Sequence, residues 1–279
     1  MIEKEGKRSK LKIFPQNFRG QVTVFIILAV LIIALGVLIY MFWPKIVSNI
    51  SPETKNPSAY IQECMEEEIQ DTVETISLQG GDYVVDKNTG YFYKDMDEEE
   101  GTYVRYLCYT NENFVRCVNQ EAFLTKHIES EILNAINPSI INCFNSMKKS
   151  YTAKGYEVNL ERGTPKVNII PNEIYNDFNS TLTLKKGEES EVYSTFELKL
   201  ESNLHDILEV TKNIIMWEIY TGDALLEAYS LDNPYLKIER HRKENDVKIY
   251  VLTDRNTEEV FRFAVRSFAN PVGFGEITL

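Results

Sequence analysis

Histidine is scarce in this 279-residue chain: His127, His205 and His241 stand far apart in sequence. That removes the commonest source of general bases and metal ligands. No G-x-S-x-G elbow, Walker loop, H-E-x-x-H pair or glycine-rich dinucleotide loop occurs. The expectation is a protein with no catalytic residues, no metal site and no cofactor, hence not an enzyme. Basic residues are also scarce beyond residue 44, where 24 face 40 acidic ones, a formal charge of −16. A surface of that sign argues against nucleic acid or anionic lipid headgroups as partners.

Charge is missing altogether between Val22 and Trp43, an apolar run of 22 residues. As a helix it would be roughly 33 Å long, enough for a hydrocarbon core about 30 Å thick. Unpaired backbone groups are so costly in lipid that a helix is the expected form despite the many β-branched residues. Six basic residues precede the run, Lys4, Lys7, Arg8, Lys10, Lys12 and Arg19, against Glu3 and Glu5. This bias keeps the N-terminus in the cytoplasm and places residues 45–279 outside. The run is longer than a secretory h-region and ends in Tyr40, Met41, Phe42 and Trp43, an interfacial belt rather than a cleavage site.

The expected organisation is a basic cytoplasmic segment 1–20, a membrane helix 21–43 and a proline-rich stalk 44–58. A helix–hairpin–helix subdomain 59–150 with the cysteines and an α+β subdomain 151–279 follow. Ahead of the run stand Arg19-Gly20-Gln21-Val22-Thr23. This resembles the class III signal of archaeal type IV pilin-like proteins, in which a peptidase cuts after the glycine and leaves the apolar helix attached. The resemblance covers residues 17–43 and implies processing between Gly20 and Gln21. Pilins carry a glutamate at the fifth position after the cut; Phe25 stands there. Pro44, Pro52 and Pro57 also interrupt the amphipathic continuation pilins have. Cleavage after Gly20 and an uncleaved signal anchor both stay open. The G-Q-V-T entry and the turn Leu78 to Gly81 are also similar to uncharacterised archaeal membrane proteins, a likeness that implies no activity.

All four cysteines, Cys64, Cys108, Cys117 and Cys143, fall on the outer side, as an oxidising compartment permits. Their spacings of 44, 9 and 26 contain no close pair of the kind structural zinc uses. Two disulfides are expected, with zinc and free thiols as the competing readings. A hairpin turning at Glu112-Asn113 would set Cys108 opposite Cys117 in a non-hydrogen-bonded pair. Cys64 and Cys143 would then join the first and third outer helices. Asn179-Ser180-Thr181 is the better of two sequons, so Asn179 is the candidate glycosylation site, Asn49 being crowded by Pro52 and the membrane.

Ser58 is the expected cap of a first helix with Ile61, Cys64, Met65, Ile69, Val73 and Ile76 on one face and Gly80-Gly81 as its stop. Residues 83–85 and 91–93 read as strands, and the acidic loop Asp95 to Glu100 lacks EF-hand spacing. Residues 120–136 read as a helix, with Asn137-Pro138 opening another. Strands are expected at 156–160, 166–171, 174–184, 192–200, 236–242, 247–252 and 260–267, with a helix from Leu204 to Gly222. Consecutive strands with segregated helices make an α+β fold on mainly antiparallel sheet. The 16 tyrosines, clustered at Tyr83, Tyr91, Tyr93 and Tyr103, Tyr106, Tyr109, suit protein or glycan contact or cross-strand packing. Two functions follow. One is an anchored cell-surface structural or protein-interaction protein that binds a partner or itself; the other is an accessory or binding module of a membrane transport or secretion complex.

Overall fold

The computed structural model describes residues 27, 28, 30–33, 56–95 and 100–268. The first six of these are helical with exposed side chains. The rest of the expected membrane helix, the Gly20-Gln21 processing site, the basic segment, most of the stalk and residues 96–99 of the acidic loop lie outside the described residues. Among the described residues no helix is long and apolar enough to cross a membrane. The chain divides into two compact units, Met1–Lys55 and Asn56–Leu279, and every element below belongs to the second.

Helix α1 (Pro57–Leu78) buries Ile61, Met65, Ile69, Val73 and Ile76, the stripe its periodicity predicts. Its cap is Asn56, not Ser58: the Asn56 side chain accepts from the Ser58 amide at 3.1 Å, and Pro57 takes the first turn, where its missing N–H costs nothing. Gly80 and Gly81 end it at φ 81° and 104°, and the Gly81 amide closes on the Ile76 carbonyl at 2.9 Å. Strand β1 (Gly90–Tyr93) pairs with β2 (Thr102–Tyr109), so residues 83–85 are not its partner strand. A two-residue strand, β3 (Val118–Asn119), follows.

Helix α2 (Leu124–Ala153) runs through Pro138 without a break, which corrects the expected pair of helices. Ile132, Ile136, Ile140, Phe144, Met147 and Tyr151 continue one buried stripe in unbroken phase on both sides of the proline. Burying that stripe outweighs the lost hydrogen bond and the ring clash. Pro138 is itself exposed, so Pro138→Ala should restore the bond without disturbing packing. The expected gain is about 1–3 kcal/mol, read as a rise in urea midpoint at unchanged m-value; a fall would mean the proline sets a bend that the packing needs.

Beyond α2, β4 (Glu157–Arg162), β7 (Ser180–Lys186) and β8 (Glu189–Tyr193) form one three-stranded antiparallel sheet. A second contains β5 (Lys166–Ile170), β6 (Glu173–Asp177) and β9 (Glu197–Glu201). The expected strands 174–184 and 192–200 are thus each two strands in different sheets, the first broken at Asn179 with φ 40°. Helix α3 (Leu204–Thr221), ended by Gly222 at φ 78°, and the short α4 (Leu226–Asp232) lead to β10 (Leu236–Arg242), β11 (Val247–Asp254) and β12 (Val260–Arg266). The large sheet has the order β1-β2-β12-β11-β10 with β3 on β2. Only its β12–β2 pairing is parallel among the described strands.

The architecture is α+β. Helix α1 contacts both β12 of the large sheet and β9 of a small one, and α2 packs on α1, β4 and β5. One continuous core takes Met65 from α1, Ile132 and Phe144 from α2, Leu208 from α3 and Phe261 from β12. The expected boundary at residue 150 therefore falls inside α2 and is not a division of the core. Backbone pairing of β2 with β12 across that boundary is the reason.

Candidate interaction surface

Both disulfides are formed, Cys64–Cys143 and Cys108–Cys117, with Cα separations of 6.1 and 5.3 Å. The first joins α1 to α2, neighbours in the core. The second does not sit in the expected register: Cys108 faces Asn119 and Tyr109 faces Val118. No two-residue turn forms at Glu112-Asn113. Residues 110–117 make a wider loop, Phe114 adopts φ 63°, and Cys117 lies just outside the ladder, bonded sideways to Cys108. Phe114 occupies backbone space that disfavours a bulky side chain.

That loop is fastened at several points. Its Thr110 amide donates to the Arg266 carbonyl at 3.2 Å, and the Arg266 guanidinium returns a bond to the Thr110 carbonyl at 2.8 Å. The Cys117 amide donates to Ser267 Oγ at 3.1 Å, and Ser267 Oγ donates in turn to the Glu218 carbonyl at 3.3 Å. Arg116 donates to the Tyr220 carbonyl in the last turn of α3. The loop therefore holds Phe114 and Val115 beside the exposed face of α3, where Met216, Trp217 and Tyr220 recur at helical spacing. Val118 on β3, which contacts α3, and Phe123, between β3 and α2, are exposed as well. Phe114 is 77 %, Phe123 76 % and Tyr220 66 % exposed. A cluster of exposed aromatic side chains on a fastened backbone has the character of a protein-contact surface.

Beneath α3's last turn lies a buried charge group. Glu218 is bonded by Lys248 Nζ at 2.6 Å and by the Tyr250 hydroxyl, and Lys248 also donates to the Gly222 carbonyl at 2.5 Å. Lys248 and Glu218 side chains are 3 % and 0 % exposed. Burial pushes the Glu218 carboxyl above the ordinary carboxylate range, while Lys248 and the Tyr250 bond pull it partly back. Burial and the neighbouring Glu218 push the Tyr250 phenol far up, so it donates a proton and does not lose it. Asp223, next in chain, binds Arg240 at 2.5 Å and Arg242 at 2.6 Å. The group's donors and acceptors are spent on one another, and its effect is to fix the end of α3 on β10 and β11.

His127, isolated in sequence, meets three charged side chains in space. Its Nε2 lies 2.6 Å from Asp82 Oδ1, its Nδ1 lies 3.5 Å from Glu121, and Arg105 reaches Asp82 at 2.6 Å and Glu121 at 3.3 Å. This ties the exit of α1, strand β2 and the start of α2 together. Sequence spacing carries no trace of it, because the four residues come from three separate parts of the chain. His205 lies beside Asp206 at 2.9 Å, and His241 rests near the Tyr93 ring, so the three histidines do not converge. Among the described residues no three His, Cys, Asp or Glu side chains could hold a metal ion.

The tyrosine clusters pack in two ways. Phe92 on β1 meets Tyr103 on β2 edge-on at 5.4 Å across the strands, while Tyr106 and Tyr109, 4.9 Å apart, are neighbours along β2 itself. Burial, then Tyr109 and Tyr91, push the Tyr106 phenol up to about 12. Asn179 sits exposed at the β6–β7 turn, its side-chain amide donating to the Thr164 carbonyl at 3.3 Å. A glycan there would have to displace that bond. The ridge of Phe114, Phe123, Trp217 and Tyr220 escaped sequence reading because it joins segments a hundred residues apart; its one local signal was Met216-Trp217 and Tyr220 on the polar side of an otherwise apolar helix. The chain matches no family model, no curated protein and no solved structure.

Proposed function

We propose that this chain is a membrane-anchored, extracytoplasmic protein of the cell surface that binds a protein partner or itself, with a pilin-like N-terminal signal. The uncharged stretch Val22–Trp43 and the basic residues before it support the anchor and its orientation. Two disulfides among the described residues support an oxidising compartment. The observation that carries the binding role is the aromatic ridge, which the Cys108–Cys117 loop holds against α3. Rigid aromatic anchors lose little conformational entropy on association and supply much of the binding energy at interfaces.

Photo-crosslinking in native membranes tests it. A photoreactive residue replacing Phe123 or Tyr220 should give one discrete adduct, and the same residue at Glu67 on the polar side of α1 should give none. Trp217→Ala should lower the adduct yield at least ten-fold. An adduct of twice the chain's mass would identify self-association, and a heavier one a partner subunit of a surface or transport assembly. No adduct from either ridge position, or recovery of the full-length chain in the aqueous phase without detergent, overturns the proposal.

A further inference from the structure

A cleft of about 350 Å³ opens between the last two turns of α1, the β9–α3 junction and the β11–β12 turn. Its volume is in the range of small-ligand sites. Its lining is one-sided in charge: Glu74, Glu201, Glu258 and Glu259 contribute, and no lysine, arginine or histidine does. Glu259 is already committed, accepting from the Asn203 amide at 2.6 Å and from the Thr257 hydroxyl at 3.0 Å. Among the described residues the carboxylates of Glu74, Glu201 and Glu258 have neither an ion pair nor a side-chain hydrogen bond. Apolar side chains, Val73, Leu204 and Ile207 among them, make up the rest of the wall.

A second observation comes from Ser77. It is only 5 % exposed and lines the cleft, yet its hydroxyl makes no hydrogen bond among the described residues. A hydroxyl that lines the cleft with no protein partner is free to accept a hydrogen bond from something entering it. That something carries positive charge, because three uncommitted carboxylates surround the opening. It is not a bare metal ion, since no three of these carboxylates stand close enough to ligate one. An ammonium at the end of an aliphatic stem meets all the terms: the stem lies on the apolar wall, and the head's three donors reach a carboxylate and the serine oxygen.

We infer that this cleft binds an alkylammonium group, supplied by a lysine side chain of a basic peptide or by a free polyamine. The site is separate from the aromatic ridge and stands independently of any role for it. Two probes distinguish the sources, the peptide Ala-Lys-Ala-Lys-Ala and spermidine, each titrated calorimetrically into the full-length chain in non-ionic detergent. Saturable one-to-one binding of either is expected. Binding of the peptide alone assigns a protein partner, and binding of spermidine alone assigns a small amine. Glu74→Gln with Glu258→Gln should weaken binding at least ten-fold, as should Ser77→Ala to a smaller extent. The matched charge change Glu67→Gln with Glu68→Gln, on the exposed side of α1, should change it less than two-fold. Peptide whose lysines are acetylated should not bind. Equal loss in the cleft and control pairs would mean diffuse attraction to an acidic surface and overturn the inference. So would the absence of saturable binding of both probes at millimolar concentration. Glu74 and Glu258 are exposed, so unchanged melting of the cleft pair verifies that a lost signal reports the site and not the fold.

Discussion

Lys248→Met should destabilise the protein by about 3–5 kcal/mol at neutral pH, read by urea denaturation. The substitution preserves the length and packing of the side chain but leaves the buried Glu218 carboxylate without its ion-pair partner. Pairing it with Glu218→Gln should recover most of the loss. The amide still accepts from Tyr250, and the unpaired buried charge is gone. The pH dependence has a definite sign. A carboxyl whose folded-state pKa is raised holds its proton more tightly in the folded chain than in the unfolded one. Its contribution is complete below the unfolded value and is lost as pH rises through the folded one. Lys248 is one of the groups holding Glu218 down, so removing it moves the carboxyl further up. The deficit of Lys248→Met should be smallest near pH 4 and grow toward neutrality. A deficit that stayed flat across that interval would mean that packing, not charge, dominates the site.

The two disulfides should differ in both worth and accessibility. Cys64–Cys143 spans 79 residues and Cys108–Cys117 only 9. By chain entropy the first removes about 4 kcal/mol of unfolded-state freedom and the second about 2–3 kcal/mol. Replacing Cys64 and Cys143 by serine should therefore cost the larger amount of stability. Cys64 is exposed, whereas Cys108 and Cys117 are 0 % and 2 % exposed. Under mild reductant, thiol trapping with mass spectrometry should find Cys64–Cys143 open in the native protein while Cys108–Cys117 persists until unfolding. Simultaneous opening of both bonds would contradict that order. The short bridge matters less for global stability than for the ridge. Its loss should free Phe114 and weaken partner crosslinking before it unfolds the chain.

Local periodicity made much of the fold readable in advance. The apolar stripe of α1, the glycine stops at Gly80-Gly81 and Gly222, and strands β10 to β12 follow from spacing and turn residues. Pro138 misled because helix propensity is a local quantity, while the stripe that carries α2 past it is paid for by a core drawn from the whole unit. The Cys108 register misled because a two-residue turn was the simplest closure; the strand ends are instead set by bonds from Arg266 and Ser267, over a hundred residues away. The buried Glu218–Lys248–Tyr250 group was invisible for the same reason. A glutamate on α3 and a lysine on β11 look like two solvated charges until the backbone brings them together. The acidic cleft was likewise out of reach, since Glu74, Glu201 and Glu258 become neighbours only through tertiary contact.

Strand β12 has hydrogen-bonded partners along both edges, β11 on one and β2 on the other, and it comes last among the described strands. A polypeptide synthesised from its amino end thus has no middle for its main sheet until residue 260 has been made. At ordinary synthesis rates the greasy side of α1, which packs on that strand, would wait on the order of ten seconds for it. A surface left uncovered for that long is open to aggregation until the strand arrives.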